Sequence, residues 1–296
     1  MEINKSKKFF SNDGIFNLIN VVLICILVFI VAYPIMYSFF ASISSGDAVD
    51  RGAVIFWPVE FTLSAYRNIF SYQLFWRSYA NTVFYTISSS TVSMTLTLTA
   101  AYALMHKKLH FMRFFNLFMM ITMFFGAGMI PTFILMNDLG LRNPLGLIIL
   151  GGASAFTIVI VRSAFMGVPK DLYNAAEIDG ANDWQVFTNV GLPSIKPTIV
   201  VFWFMSAMGT WNAWLMASVL LRDESHIPLQ LFLRRIIIQM QDMGELATIA
   251  DQFAMQHSPL TTIYALIVMS MIPVFIVFPV MQKYFKRGIM EGGIKA

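Results

Sequence analysis

An all-α membrane protein of six transmembrane helices, with both termini cytoplasmic, is the fold class this sequence predicts, and three observations predict it. Hydrophobic residues make up 57% of the chain and charged residues only 12%, where soluble domains carry about 25% charged residues. Mean hydropathy is +0.68. Six apolar stretches each exceed the roughly 20 residues a helix needs to cross a bilayer, and with six crossings every lysine falls on one side.

The first stretch runs Phe16 to Ser42 behind Lys5, Lys7 and Lys8. A secretory signal has the same basic start, but its apolar run is only about 7–15 residues, so this is read as a membrane helix. The others run Tyr79–Met105, Phe114–Met136, Pro144–Met166, Thr198–Leu221 and Leu260–Gln282. Gly126, Gly128 and Pro131 in the third mark a kink or a close helix contact. Residues 1–15 then form an N-terminal tail, 16–282 the transmembrane domain and 283–296 a C-terminal tail, with outer loops at 44–76 and 222–259.

Lysine sets the orientation. Besides the N-terminal three, Lys107 and Lys108 lie between spans two and three, Lys170 and Lys196 between four and five, and Lys283, Lys286 and Lys295 after span six. The positive-inside rule makes that side cytoplasmic. The net charge of +4 thus reflects topology and an anionic inner leaflet, and no nucleic-acid partner is expected.

The same residues exclude several functions. No Asp or Glu falls inside a span, whereas proton- or sodium-coupled carriers place ionisable groups in the bilayer. A single cysteine, Cys25, allows no disulfide or thiol pair. The four histidines lie in loops without metal-ligand spacing, and no Gly-x-x-x-x-Gly-Lys-Ser/Thr phosphate loop is present. The chain is therefore expected to be no enzyme, to carry no metal or cofactor, and to draw its energy from a partner.

The cytoplasmic segment 168–197 is longer than a turn requires. Asp171 is placed to cap a helix over Leu172–Asp179, stopped by Gly180. Asn182 or Asp183 can cap a second helix, Trp184–Val190, before Gly191 and Pro193 break the chain. Ala175 and Ala176 allow another surface to come close, Tyr173 and Ile178 offer apolar anchors, and Asn174, Glu177 and Asp179 offer polar contacts. Docking of a partner and a helix lying on the membrane surface both fit, but surface-lying helices are rich in Lys or Arg and this one is acidic.

Ala175-Ala176, then Gly180, then Leu192-Pro193 resemble the coupling loop of the permease subunits of binding-protein-dependent ABC importers. That family's pattern is Glu-Ala-Ala, three residues, Gly, nine residues, Ile-x-Leu-Pro; the spacing matches throughout, with Val190 at the Ile position and Asn174 at the Glu position. Ile178-Asp179-Gly180-Ala181 and Pro197 resemble the carbohydrate subfamily, whose type is the G subunit of the maltose transporter. So do Phe61-Thr62-Leu63, Tyr66, Asn81, Trp211-Asn212 and the closing Lys283-Tyr284-Phe285 with Gly288 and Gly292 to Lys295. Met123-Phe124-Phe125, Gly128 to Thr132 and Gln282 to Phe285 are similar to permeases for complex oligosaccharides.

The resemblance implies a type I ABC importer permease fold in the cell membrane, and a chain that passes a carbohydrate, specifically an oligosaccharide, across it. The implied partners are a second permease subunit forming a heterodimer, two copies of a cytosolic ATPase that bind ATP and Mg, an extracellular or periplasmic solute-binding protein, and membrane lipid. Asn174, Ala175, Ala176, Glu177, Asp179, Gly180, Leu192 and Pro193 would transmit ATPase closure. With Asn174 in place of the family's carboxylate a hydrogen bond loses charge assistance, and Glu177, one turn on, can take over the pairing.

For the solute pathway the candidates are Trp203, Thr210, Trp211, Asn212 and Trp214 in span five. Trp203, Ala207, Thr210 or Trp211, and Trp214 share a face at a 3.6-residue period. Aromatic faces stack on sugar C–H groups and Asn212 can bond hydroxyls, but packing between helices uses the same residue types. Arg162 near the inner end of span four is expected to snorkel or to pair within the loop. A permease of this architecture for a non-sugar solute, and an ion-coupled secondary carrier, are the alternatives.

Overall fold

The computed structural model describes residues 12–106, 111–241 and 259–293. Most of the N-terminal tail, Lys107, Lys108, Lys295 and much of the second outer loop (242–258) lie outside the described residues. Among the described residues every regular element is helical. Contacts divide the chain into two units, 1–71 with 236–269, and 72–235 with 270–296.

All six predicted spans are helical, but not alike. Helix α1 (Asn12–Ser42) and helix α15 (Pro259–Gly293) contain stretches long and apolar enough to cross a membrane alone, Gly14–Ser42 and Leu260–Tyr284. In α1 none of that apolar window is buried within the protein, as expected for a helix hydrophobic on all sides whose backbone is satisfied internally and whose side chains meet lipid. Helix α15 continues to Gly293, so the predicted tail is helical over 283–293.

The second span lies within α4 (Gln73–Met105), about 50 Å of continuous helix at 1.5 Å per residue. Eleven of its 33 residues are Ser or Thr, and it is not among the stretches apolar enough to cross alone. Its hydroxyl face is instead buried at Ser78, Thr82, Thr86, Ser89, Ser90, Ser93 and Thr97. Small side chains let neighbouring backbones approach, and α4 is the helix on which α7, α8 and α12 pack.

Spans three and four are each a bent pair. Helices α5 (Met112–Phe124) and α6 (Met129–Asp138) meet at 117°. The predicted kink falls at Gly128, whose φ of +80° suits glycine. Pro131 sits in the first turn of α6, where its missing N–H costs no helical bond. Helices α7 (Pro144–Leu150) and α8 (Ala155–Gly167) meet at 51°. Asn143 Oδ1 accepts from Gly146 N at 3.1 Å to cap α7, with Pro144 following it. Arg162 on α8 does not pair in the loop: Nη1 donates to Asn116 Oδ1 on α5 at 2.8 Å.

Span five also departs from expectation. Helix α12 (Lys196–Trp211) ends before helix α13 (Leu215–Leu220), and Trp214 between them has φ −131° and ψ −33°. The face drawn through Trp203 and Trp214 is therefore not continuous. One core cluster joins Ala101 and Leu104 of α4 to Ile158, Val161 and Phe165 of α8, with Phe187 and Ile195.

In the first unit, α2 (Gly46–Asp50) is capped by Ser45, whose Oγ accepts from Ala48 N, and α3 (Ser64–Ser71) follows. Ser44 Oγ donates to Phe40 O at 2.7 Å and accepts from Val59 N at 3.0 Å, closing the loop over Ala41, Ala48, Val49 and Val54. Tyr66 Oη lies 2.8 Å from Ser42 Oγ.

Candidate functional site

Segment 168–197 folds as a helical hairpin packed against the core. Val168 is extended ahead of Pro169, as the residue before a proline must be, and α9 (Lys170–Ile178) begins directly after it. Asp171 is therefore not the N-cap; it lies in the first turn, where a carboxylate favours the helix dipole. The stop is as predicted. Gly180 takes φ +83°, Gly180 N donates to Glu177 O at 3.1 Å and Ala181 N to Ala176 O at 3.0 Å, the paired bonds of a Schellman motif.

Asn182 then caps α10 (Asp183–Val186) reciprocally: Gln185 N donates to Asn182 Oδ1 and Asn182 N donates to Gln185 Oε1, both at 2.9 Å. The helix does not break at Gly191. It passes through one π turn, Phe187–Gly191, into α11 (Leu192–Ser194), because Pro193 cannot donate a bond and its ring displaces the carbonyl one turn back. The bend comes later, at Ile195, where 183–194 meets α12 at 80°. Gly191 serves packing: a Cβ there would lie 3.2 Å from the Phe165 ring.

Tyr173 turns inward. Its hydroxyl donates to Phe165 O at 3.3 Å, it packs on the core, and burial pushes its pKa up. Leu192 likewise packs on the core. Asn174, Ala175, Glu177, Asp179, Gly180 and Pro193 are exposed, Ala176 partly so. Ile178 is 85% exposed and Trp184 65% exposed. A groove of about 390 Å³ beside Trp184 is lined by Tyr102, His106, Asp183 and Phe187 among others. The hairpin thus presents polar and apolar groups on one side and is anchored on the other.

A second site surrounds the break between α12 and α13. A cavity of about 230 Å³ is walled by Thr82, Tyr85 and Ser89 of α4, by Leu147, Leu150 and Gly151, and by Gly209, Thr210, Ala213, Met216 and Ala217. Of the five predicted pathway residues only Thr210 lies on this wall. Trp211 is buried, with its ring edge-on to Tyr79 at 6.0 Å and Nε1 donating to Ser270 O at 3.3 Å. Trp203 Nε1 donates to Thr91 Oγ1 at 3.4 Å. Asn212 bonds back to Met208 O, and Trp214 lies under Arg234 with its ring centroid 3.7 Å from the guanidinium carbon. Tyr85, Ser89 and Gly151 were not foreseen; the hydroxyls recurring along α4 at helical spacing were the signal.

Segment 223–229 is laced to α4. Asn81 Nδ2 donates to Ser225 O at 2.9 Å and Ile227 O at 3.2 Å, Tyr85 Oη donates to His226 O at 2.9 Å, and Leu229 N donates to Thr82 Oγ1 at 2.7 Å. Ser225 N–H, 2.8 Å from Asp223 Oδ1, is the main cause of that carboxyl's lowered pKa. Asn81→Ala is expected to cost about 1–3 kcal/mol, since two carbonyls lose their donor. Thermal unfolding in detergent and amide exchange over 224–229 check this; unaltered exchange there would show that Asn81 does not secure the segment.

Residues 93–291 match the family described as binding-protein-dependent transport system inner membrane component. The polygalacturonan/rhamnogalacturonan transport system permease protein YtcP of Bacillus subtilis (strain 168) is 34% identical over 92% of this chain and 93% of its own. A chain in the crystal structure of a bacterial ABC transporter involved in the import of the acidic polysaccharide alginate is 41% identical, with a TM-score of 0.86 over 94% of this chain and 99% of that one. A chain in the structure of a bacterial alginate ABC transporter in complex with alginate pentasaccharide-bound periplasmic protein shares the fold, at 15% identity and a TM-score of 0.52 over 90% of this chain and 96% of that one. The exposed hairpin, the bent spans and these likenesses lead to one conclusion: the chain belongs to the family of inner membrane components of binding-protein-dependent transport systems.

Proposed function

We propose that this chain is one of two permease subunits of an ATP-driven importer, a non-catalytic subunit that passes an oligosaccharide handed over by an extracellular binding protein. It crosses the membrane six times with both termini inside. Two cytosolic ATPase subunits bind ATP and Mg, and one of them grips the hairpin of α9 and α10. The observation that carries this reading is the hairpin itself. Ile178 and Trp184 stand exposed on a segment held rigidly from behind by Tyr173 and Phe187, and exposed apolar groups on a rigid support mark an interaction surface.

Charge supports the same reading. Asp179 places a carboxylate at the C-terminal end of α9, where the helix dipole disfavours it; a basic group on a partner offsets that cost. Glu177 is exposed one turn beyond Asn174 and supplies the acid that Asn174 lacks. The α12–α13 break and its cavity, with Thr210 on the wall, form part of the solute path. The carbohydrate assignment is supported by the named substrates of the relatives.

Isolation of the tagged chain from its native membranes in mild detergent, followed by mass spectrometry, tests the assembly. Recovery of an ABC ATPase and a second permease chain is expected. Repeated recovery of the folded chain alone would point to a self-sufficient carrier.

A further inference from the structure

The segment after α13, which includes helix α14 (Leu229–Gln241), carries Arg222, Arg234 and Arg235 beside two acids, Asp223 and Glu224. Both acids are engaged. Asp223 Oδ1 accepts from Ser225 N at 2.8 Å, and its other oxygen lies 3.3 Å from His226 Nδ1. Glu224 Oε1 takes Arg235 Nη1 at 3.4 Å. Among the described residues Arg234 pairs with no carboxylate. It is exposed and lies over the Trp214 ring, 3.7 Å from the guanidinium carbon to the ring centroid.

That stack decides what Arg234 can do. An indole under a guanidinium covers one face of the planar group by cation–π attraction and holds its plane. The N–H edge is left free, and a fixed fork of N–H donors matches the two oxygens of a carboxylate. Trp214 follows directly after Ala213, which lines the cavity with Thr210, so the fork is tied to the same helix break as the proposed solute path. A neutral sugar offers this fork only hydroxyls, whereas a uronic acid offers a carboxylate that is ionised at neutral pH.

We propose that Arg234, held by Trp214, binds the carboxylate of an acidic sugar unit, and that the solute is a uronate-bearing oligosaccharide. This rests on the importer reading and adds the charge of the substrate to it. Arg234 is the carboxylate-binding residue and Trp214 the positioning residue.

The test uses the complete importer with its own binding protein and two probes, oligogalacturonate and its methyl ester of equal length. The readout is uptake kcat/KM, expressed as the ratio of free acid to ester. The binding protein is the same for every variant, so a change in that ratio belongs to this chain. Wild type is expected to prefer the free acid. Arg234→Gln is expected to reduce the preference about tenfold, the worth of one charge-assisted pair. Arg234→Lys, which keeps the charge without the fork, should restore only part of it. Trp214→Leu should lower the preference through KM.

Because Arg234 is exposed, assembly of the variants can be checked by recovery of the intact complex, and Arg234→Lys serves as the second variant if Arg234→Gln assembles poorly. An unchanged ratio in both Arg234 variants, or a wild type that favours the ester, overturns the inference and leaves the importer reading standing. Failure of the wild type to take up any oligosaccharide, charged or neutral, removes the importer reading and this inference together.

Discussion

Valine at position 180 is expected to reduce solute-dependent ATP hydrolysis and uptake at least tenfold while the chain still inserts and folds. Gly180 closes α9 at φ +83°, where an L-residue pays roughly 1–2 kcal/mol and a β-branched one more. That cost is small against a membrane domain, so the spans survive. It is large against a single nine-residue helix held by Tyr173 and one Schellman turn. The strain is relieved by moving the chain out of the left-handed region, which breaks the Gly180 and Ala181 bonds and re-aims Glu177, Asp179 and Trp184. The series should be graded: Gly180→Asn mild, because Asn tolerates this conformation, Gly180→Ala intermediate and Gly180→Val severe. Uptake and ATPase activity of the reconstituted complex measure it, with protein recovery as the folding control. Equal activity across the series would mean that the hairpin's geometry does not couple the two ends of the transporter.

The second large effect is expected at Gly151, between α7 and α8 on the wall of the cavity. A Cβ at this position collides with the Ser89 hydroxyl and comes within 3.2 Å of the Ser89 Cβ. Ser89 is buried on the face of α4 that packs against α7. Overpacking of this kind costs about 1–3 kcal/mol, so Gly151→Val should lower thermal stability and also fill the cavity proposed as part of the solute path. Gly151→Ala should be milder, and Ser89→Ala should rescue it in part, because the first colliding atom is then gone. Residues in direct contact show such non-additivity. If the double variant is as unstable as the sum of the single ones, Ser89 is not what Gly151 accommodates.

These two glycines differ in how far they could be read in advance. Gly180 stops α9 by a local rule: a left-handed residue after the last turn, with bonds to carbonyls three and five residues back. The same holds for the cap at Asn182, legible as one of two candidates, and for the bend at Gly128, legible as a kink or a close helix contact. Hydrophobic spans are legible for a related reason, since a bilayer offers no hydrogen bonds and the backbone must satisfy itself within each helix. Gly151 depends on Ser89, 62 residues earlier in the numbering, and no local pattern announces that contact.

The remaining departures are of the same non-local kind. Gly191 reads as a break because glycine and proline are close together, yet the helix runs on through the π turn ahead of Pro193, and Gly191 instead leaves room for the Phe165 ring. Tyr173 and Trp211 look like residues offered to partners, but Phe165 and Ser270 take their polar atoms and the core takes their rings. Segment composition, then, determined by itself that this is a helical membrane protein with a capped, acidic hairpin between two of its apolar stretches, because solvent and backbone chemistry act residue by residue. Only the tertiary structure decided which side chains face inward, where the spans bend and where a cavity opens. Those outcomes depend on the shapes that distant parts of the chain present to one another in a close-packed interior.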